Sequence, residues 1–456
     1  MRHSCKYYSL ALLLLSQLSM ATTHPVMLEV KNKTIMVDGK SASVYTIEQP
    51  DGTWGYVGTE GQDFNVIVKN DTKVATGIHW HGLILPNAMD GVPDVTQPPI
   101  LPGAQYRYRF KLVQAGTFWM HSHMGLQTQQ LMEAPLIIND PNDPYKNNQQ
   151  VVVMFQDFNF QSPEAALKSL QSGAMKMPMK MDMNKPDLND VTYDAFLTNY
   201  HTLQNPQVVK VQPGTRVRLR FIDGGSGSNF WIHLGQLSGT AIAFDGENIK
   251  PLTAPAFQLA MGQRIDILVQ IPKAGGAFPI LGQVEGTNRQ TGLILVTPGA
   301  AIPKLSETTA QTAPALNNDQ ELAMKSLHPL PAKPIDKVVN VVLTGNMQKY
   351  IWMINDQAWP KVTPIQLKQG QRVELIFDNR SNMGHPMHLH GSVYELVGIN
   401  QQVITDGPLH DTIFVLPHTQ VKVIFDADHL GKWMLHCHMA YHQESGMMTV
   451  VDVTGA

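Results

Sequence analysis

The chain is poor in cysteine, in charged residues and in long apolar runs. It has two cysteines among 456 residues, which excludes a disulfide-stabilised scaffold. Charged residues make up 16% of the chain and the net charge is -3, so no basic excess exists to bind nucleic acid. No stretch reaches the roughly 20 apolar residues that a membrane-spanning helix needs, so we expect no membrane anchor.

The residues that are plentiful indicate turns and metal ligands. The 35 glycines and 30 prolines, together with 43% hydrophobic residues, are typical of a turn-rich β protein with a sizeable core. The chain also has 18 histidines and 24 methionines. Imidazole and thioether groups are ligands for soft metals, so this composition points to soft-metal chemistry.

The first residues predict an export signal. A positively charged start is followed by the apolar stretch 9–20, and Ser19 and Ala21 place small residues at the spacing of a signal-peptidase site. We therefore predict a signal peptide over 1–21 and an exported protein, periplasmic in a bacterium or secreted. The alternative is a buried N-terminal helix. Removing the signal removes one cysteine and leaves Cys437 as the only thiol.

A short motif recurs at about one third of the chain length. GQDFNVIVKN begins at Gly61, GTRVRLRFID at Gly214 and GQRVELIFDN at Gly370, and each is a turn glycine followed by an alternating strand pattern. Helical periodicity is weak elsewhere, so the repeats predict three β-sandwiches in tandem.

We place the domain boundaries from these repeats and from composition. A stretch rich in Ala, Pro, Thr and Asn, without a strand pattern, separates the second repeat from the third and reads as a linker. The predicted domains are 22–146, 147–300 and 337–456, with the linker at 301–336.

Four histidine motifs lie in the first and third repeats. An H-x-H pair on a strand places both imidazoles on one face, about 6–7 Å apart. Because the motifs divide evenly between two repeats, they predict a metal cluster shared between domains. His233 holds the equivalent place in the middle repeat without a partner, so we interpret it as structural. The motifs comprise His79 and His81; His121 and His123; His385, His388 and His390; and His436, Cys437, His438 and His442.

The fourth motif predicts a different centre. A thiolate, two imidazoles and a weak axial thioether are the ligands of a blue-copper electron-transfer site. Cys437, His442 and Met447 provide three of these, and His385 can supply the fourth. The side chains that flank Cys437 point to the opposite strand face, so this residue connects two metal sites. Zinc has no redox chemistry and would gain nothing from such a connection.

Together the motifs resemble those of the multicopper oxidases, most closely the three-domain periplasmic copper-resistance oxidases. The segments that carry the resemblance are HWHG…MDGVP, GTFWMHSHMGLQTQ and HCHMAYH, and it extends over essentially the whole mature chain. The resemblance implies an all-β fold of three tandem cupredoxin-like Greek-key β-sandwich domains. It also implies four copper ions: one type 1, one type 2 and two type 3.

The resemblance also implies the ligands of each copper. The type 1 ligands would be His385, Cys437, His442 and Met447. The type 2 ligands would be His79 and His388. The type 3 ligands would be His81, His121 and His438 for one ion, and His123, His390 and His436 for the other.

The reaction implied by the resemblance is the one-electron oxidation of a reducing substrate, coupled to four-electron reduction of O2 to water. Such a reaction needs protons at a buried site, and Asp90 matches the acid that family members use near the cluster. The alternative interpretation of Asp90 is an ordinary Asp-Gly turn. A second acid often follows the residue that corresponds to His442, but Gln443 stands there and cannot titrate. Glu444 is a candidate substitute.

A methionine run indicates the substrate. Five methionines alternate strictly around Pro178, which excludes a central strand, and the period excludes a helical core face. Thioethers suit Cu(I), so we interpret the run as a loop that captures cuprous ions; the alternative is an ordinary surface loop. The methionines are Met175, Met177, Met179, Met181 and Met183.

Three functions follow from the sequence. The first is a monomeric oxidase of Cu(I) that serves copper tolerance. The second is an oxidase of ferrous iron or of phenols, as in laccases. The third is non-enzymatic copper storage, against which the thiolate between two metal sites argues, because storage needs no electron route.

Overall fold

The computed structural model describes residues 24–172 and 188–455. Its secondary structure is almost entirely β-strand, which confirms the all-β prediction, and it is organised as three tandem modules. The predicted signal peptide (1–21) and the methionine run (175–183) lie outside the described residues. Within the described ranges, no helix has the length and apolar character needed to cross a membrane.

The first module consists of two four-stranded sheets, ordered β2-β1-β4-β6 and β3-β8-β7-β5. Its strands are β1 (Val26–Val37), β2 (Lys40–Glu48), β3 (Tyr56–Thr59), β4 (Asp63–Asn70), β5 (Ile78–His81), β6 (Gln105–Lys111), β7 (Gly116–Ser122) and β8 (Glu133–Asn139).

The second module packs a six-stranded sheet, β10-β9-β12-β17-β14-β15, with a five-stranded sheet, β11-β19-β18-β13-β16. Its elements are β9 (Gln149–Phe158), helix α1 (Pro163–Gln171), β10 (Ala195–Thr198), β11 (Val208–Lys210), β12 (Arg216–Asp223), β13 (Phe230–His233), β14 (Gly239–Phe244), β15 (Glu247–Thr253), β16 (Phe257–Leu259), β17 (Arg264–Gln270), β18 (Ala277–Val284) and β19 (Gln290–Val296).

The third module follows the short helix α2 (Asp319–Ala323) and again has two sheets, β21-β20-β23-β29-β25-β26 with β27 beside β25, and β22-β31-β30-β24-β28. Its elements are β20 (Lys337–Asn346), β21 (Ile351–Ile354), β22 (Ile365–Lys368), β23 (Arg372–Asn379), β24 (His385–Leu389), β25 (Tyr394–Ile399), β26 (Gln402–Val403), β27 (Leu409–His410), β28 (Thr412–Val415), β29 (Gln420–Asp426), β30 (Gly431–Cys437), α3 (Ala440–Glu444) and β31 (Met448–Thr454).

The repeated motif forms the same strand in each module. β4, β12 and β23 each lie between a parallel partner (β1, β9 or β20) and an antiparallel partner (β6, β17 or β29). The turn glycines that open the motif, Gly61, Gly214 and Gly370, have φ values of 84°, 74° and 84°, a region that favours glycine. The predicted repeat is therefore a repeat of structure.

The alternating pattern of the repeated strand places its apolar residues in the core. Val66, Leu219 and Leu375 stand at equivalent positions and are each fully buried. Burying such a side chain contributes roughly 1.5–3 kcal/mol. One continuous hydrophobic cluster extends through all three modules. The modules therefore share one hydrophobic core.

The segment 301–336 lies along the second and third modules. Leu316 N donates to the buried carboxylate of Glu285 in the second module, and Leu330 N donates to Glu395 in the third. The segment is thus fastened to both modules although most of it lacks regular secondary structure.

Candidate metal centres

The histidine motifs lie on paired strands of two sheets. β5 carries His79 and His81 and pairs antiparallel with β7, where His121 stands opposite His79. In the third module β24 pairs with β30, and His388 stands opposite His436. Because side chains alternate along a strand, each pair directs imidazoles towards one side. Both pairs face the boundary between the first and third modules.

Three groups of buried histidines form at this boundary. Within each group the possible ligand atoms lie within 4.8 Å of one another, and each group draws on both modules. We call the three groups together the histidine cluster. Its groups are His79, His81 and His388; His81, His121 and His438; and His123, His390 and His436.

Backbone carbonyls determine which ring nitrogen faces the centre of the histidine cluster. The Nδ1 atoms of His79 and His388 lie 2.9 Å from the carbonyl oxygens of Asp90 and Asp411, respectively. A carbonyl only accepts, so Nδ1 carries the proton and the neutral ring presents the lone pair of Nε2. The two Nε2 atoms are 3.4 Å apart. Neither has a proton to share, so the arrangement fits a cation between them.

The same arrangement occurs between other members of the cluster. His436 Nδ1 donates to a backbone carbonyl at 3.0 Å and His390 Nδ1 to the Asp90 carboxylate at 2.9 Å, which leaves their Nε2 atoms facing each other at 3.0 Å. The Nε2 atoms of His121 and His438 are also 3.4 Å apart; His121 Nδ1 donates to the Ser122 carbonyl, whereas His438 Nδ1 is buried without a hydrogen-bond partner among the described residues. Burial, reinforced by neighbouring imidazoles, holds the pKa of these four histidines well below the usual value, which favours the neutral, metal-binding form.

His81 presents its other nitrogen. Its Nε2 lies 3.0 Å from Asp411 Oδ1 and 3.0 Å from Thr412 Oγ1. Its Nδ1 is buried and has no hydrogen-bond partner among the described residues. A buried, unpaired ring nitrogen beside two other imidazoles is what a metal ligand looks like without its metal.

Asp411 is a residue that the sequence analysis missed. Its carboxylate contacts His81, lies 3.4 Å from His388 Nδ1, and forms a two-point ion pair with Arg264 at 2.7 and 2.5 Å. Burial alone would raise the pKa of Asp411, but Arg264 and His81 hold it well below the usual range. A single Asp before a short strand has no distinctive sequence signal, so only the packing reveals this role.

Three of the predicted blue-copper ligands also come together. His385 Nδ1 and His442 Nδ1 are 3.2 Å apart, and Cys437 Sγ lies 3.7 Å from each. Met447 is fully buried, and its carbonyl oxygen accepts a hydrogen bond from Cys437 N at 3.0 Å. Burial raises the pKa of the Cys437 thiol, so a bound cation is needed to stabilise the thiolate. This donor set suits copper.

Hydrogen bonds orient both imidazoles of this group. His442 Nε2 lies 2.8 Å from Asp190 Oδ2, and His385 Nε2 lies 2.7 Å from Ser381 Oγ, so each ring turns Nδ1 towards Cys437. Asp190 belongs to the second module, follows the methionine-rich segment in the chain and was not predicted. Its carboxylate also accepts from the Tyr350 hydroxyl at 2.5 Å.

Cys437 connects the two kinds of site. It lies in the group with His385 and His442, while its neighbours His436 and His438 belong to two groups of the histidine cluster. Strand alternation in β30 produces this division, as the sequence predicts. The covalent path from the Cys437 sulfur to either imidazole passes through a single peptide unit and is buried.

Asp90 lies against the histidine cluster. One carboxylate oxygen accepts from His390, the other lies 3.3 Å from His79 Nδ1, and the residue is fully buried. Asp90 also begins a tight turn, because Gly91 has a φ of 85°. Both interpretations of the Asp-Gly pair therefore describe part of its environment.

The remaining predicted residues lie elsewhere. Glu444 is solvent-exposed at the end of α3, Gln443 is half-buried, and neither belongs to a metal-binding group among the described residues. The position of Glu444 does not support the suggestion that it replaces the acid absent at Gln443. His233 is half-buried and likewise lies outside these groups.

Comparisons with known proteins agree with this geometry. Three family models, each described as multicopper oxidase, match residues 29–143, 149–300 and 332–456. Multicopper oxidase MmcO of Mycobacterium tuberculosis is 30% identical, with 86% of this chain and 80% of that protein covered. The Copper resistance protein A homolog of Pseudomonas syringae pv. tomato is 28% identical, with 86% of each covered.

A solved structure supports the fold. Fet3p, described as a multicopper oxidase that functions in iron import, superimposes with a TM-score of 0.81 at 20% identity and covers 94% of this chain and 90% of its own. The likeness confirms three tandem cupredoxin-like domains.

Proposed function

The chain belongs to the multicopper oxidase family, and on that premise we propose that it oxidises Cu(I) and uses the electrons to reduce O2 to water. It is an oxidoreductase that contains copper. The observation that carries the choice of substrate is the methionine run of 175–183, because thioethers suit Cu(I). The run precedes Asp190 in the chain, and Asp190 bonds to His442 at 2.8 Å.

We assign four copper ions to the two kinds of site. The type 1 ion would bind His385, Cys437, His442 and Met447, and the type 2 ion His79 and His388. The type 3 ions would bind His81, His121 and His438, and His123, His390 and His436. Bound copper supplies the one-electron redox chemistry through which this family couples substrate oxidation to reduction of O2.

The protein's own groups prepare both sites. Asp190 and Ser381 hold the imidazoles of the blue site with Nδ1 inward, so little reorganisation is needed when a metal binds. Asp411 orients His81 with Nδ1 inward and His388 with Nε2 inward. Asp90 holds a carboxylate oxygen beside His79 in a buried position, where it can take up a proton and pass it on as a general acid.

The methionine run is proposed to bring Cu(I) to the blue site. Five thioethers on alternating positions suit a soft monovalent ion, and the run ends at Met183, seven positions before Asp190. A carboxylate bonded to the edge of His442 provides an electron path from a substrate held there to the buried imidazole.

Oxygen uptake with separate donors tests this proposal. Copper-loaded protein is offered Cu(I), Fe(II) and a simple phenol, beside a Cys437→Ser variant and a variant in which the five methionines of 175–183 are replaced by serine. We expect uptake to be fastest with Cu(I), to be abolished in Cys437→Ser, and to fall with Cu(I) alone in the serine variant. Equal loss with all three donors would contradict a role in Cu(I) capture.

Ferrous iron is the second candidate, and Asp190 supports it too, because a carboxylate is a suitable ligand for Fe(II). If iron is the substrate, Asp190→Asn should raise the KM for Fe(II) while the serine variant behaves like the parent. A phenol oxidase would be indicated by fastest uptake with the phenol. Full copper loading without uptake from any donor would favour storage.

We further propose an exported, periplasmic or secreted monomer that serves copper tolerance, with domains at 22–146, 147–300 and 337–456 and a linker at 301–336. Expression in a copper-sensitive bacterial strain tests the first part. We expect growth at higher copper concentrations, together with a product whose mass lacks residues 1–21. A full-length cytoplasmic product would contradict export.

A further inference from the structure

A series of buried charged side chains, which we call the charge series, connects the segment 301–336 with the histidine cluster. It begins at Glu321, the buried residue of α2, whose Oε2 lies 3.0 Å from His410 Nε2. His410 Nδ1 lies 3.1 Å from Asp245 Oδ2 in the second module. A carboxylate therefore lies within ion-pair distance of each ring nitrogen, an arrangement that favours the cationic form of His410. Each of these three side chains is at most 10% exposed.

The charge series continues through Arg264 to Asp411. Asp245 Oδ1 lies 3.2 Å from Arg264 NH1 and accepts from Arg264 N at 3.0 Å. Arg264 then forms the two-point ion pair with Asp411, which contacts His81 and His388. Negative and positive groups alternate along the charge series, so each neutralises its neighbours in a region that water does not reach.

The charge of His410 affects how firmly Arg264 binds Asp411. Asp245 is shared between two cations, His410 and Arg264. If His410 loses its charge, Asp245 depends on Arg264 alone and competes with Asp411 for the same guanidinium. Asp411 then holds His81 and His388 less firmly. The state of His410 depends in turn on Glu321, which is far from the histidine cluster in sequence.

We infer that Glu321 and His410 are positioning residues for the histidine cluster, acting through Asp245, Arg264 and Asp411. The segment 301–336 and the second module contribute no predicted copper ligand. Through the charge series, however, they fix the orientation of two predicted ligands, His81 and His388. The inference rests on the proposed function, because it assumes that the histidine cluster holds copper.

The test measures copper binding in Glu321→Gln and His410→Gln, each nearly isosteric and without the charge. Glu395→Gln is the matched control, because Glu395 is also a buried glutamate that fastens the segment 301–336, through Leu330 N, but has no described bond to His410. The readouts are copper per chain, the paramagnetic resonance signal of type 2 copper during titration with a chelator, and the blue absorption.

We expect both variants to release copper from the histidine cluster at a roughly tenfold lower chelator concentration, as is usual when a residue that orients a metal ligand is lost. The blue absorption should match the parent, which also shows that the third module is folded. Glu395→Gln should match the parent in every readout. Parent-like retention in Glu321→Gln, or equal loss in Glu395→Gln, would overturn the inference.

The two proposals fail separately. If the parent itself takes up no copper at the histidine cluster, the proposed function fails. If the parent loads fully and Glu321→Gln retains copper equally well, only the positioning role of Glu321 and His410 is wrong.

Discussion

At the scale of single residues, the site depends on which atom of each side chain is already engaged. Asp90 accepts from His390 and also approaches His79, while one of its oxygens has no hydrogen-bond partner among the described residues. A buried carboxyl group beside these two histidines is suited to take up protons and pass them on. This distinguishes it from Glu444, whose side chain faces solvent.

Asp90→Asn should therefore slow oxygen uptake by about 10²-fold or more, the usual contribution of a general acid, and leave the blue absorption unchanged. Asparagine keeps the shape and the acceptor oxygen but cannot carry the proton. Steady-state oxygen uptake and the visible spectrum check this. Asp94→Asn is the control, because Asp94 is an exposed carboxylate in the same loop. Unchanged turnover in Asp90→Asn would remove the acid from the reaction.

His410 gives the protein a pH-dependent stability. Burial by itself lowers the pKa of His410, but Glu321 and Asp245 raise it to about 10, above the 6.5 of a free imidazole. A group whose folded pKa is raised contributes stability that is fully present below pH 6.5 and is lost as the pH rises towards 10.

We expect the unfolding free energy of the copper-free parent to fall between pH 7 and pH 10 relative to His410→Gln, which lacks the group. Denaturant unfolding of the two proteins at several pH values measures the difference. A difference that stays constant over this range would show that His410 does not titrate with a raised pKa.

At the scale of elements, short strands need close support from their neighbouring turns. β5 has only four residues, and the turn at Gly91 packs directly onto it. A Cβ atom on Gly91 would lie 1.8 Å from the Ile78 carbonyl oxygen, where no atom fits. The turn therefore sets the position of His79 as well as that of Asp90.

Gly91→Ala should destabilise the protein by about 2–5 kcal/mol, the sum of a positive-φ penalty and of overpacking. Gly103→Ala is the matched control, since Gly103 has a similar φ of 76° but open space around it. It should cost only about 1–2 kcal/mol. Denaturant unfolding of both variants checks this, and equal losses would show that strain alone matters at Gly91.

At the scale of the whole molecule, the modules are joined by buried charges as well as by the continuous apolar core. Arg264 of the second module pairs with Asp411 of the third and is fully buried. Its removal would leave Asp245 and Asp411 as uncompensated buried anions. Such losses are costly because neither carboxylate can regain water.

Arg264→Met should lower the unfolding free energy of the copper-free chain by about 3–5 kcal/mol. Arg372→Met is the comparison: Arg372 is equally buried, but its partner Asp426 lies in the same module and is 22% exposed. We expect a smaller loss there, because water can solvate Asp426. A larger loss at Arg372 would contradict the importance of the contact between modules.

The repeat and the donor set could be predicted from local patterns in the amino-acid sequence. The alternation of apolar and polar residues and the turn glycines are local features of the sequence. The strands that follow Gly61, Gly214 and Gly370 could therefore be predicted. The same local rule placed Cys437 on one face of β30 and its histidine neighbours on the other. The groups expected to share a site do come together.

Contacts between residues distant in the chain fix which nitrogen each imidazole turns towards the metal site, and local patterns do not reveal them. His81 turns Nδ1 inward because Asp411, 330 positions away, binds its Nε2. Asp190 is 252 positions from His442. Such partners are ordinary acids in sequence, and they acquire a role only when packing brings them to a particular ring and removes the water that would otherwise compete for it.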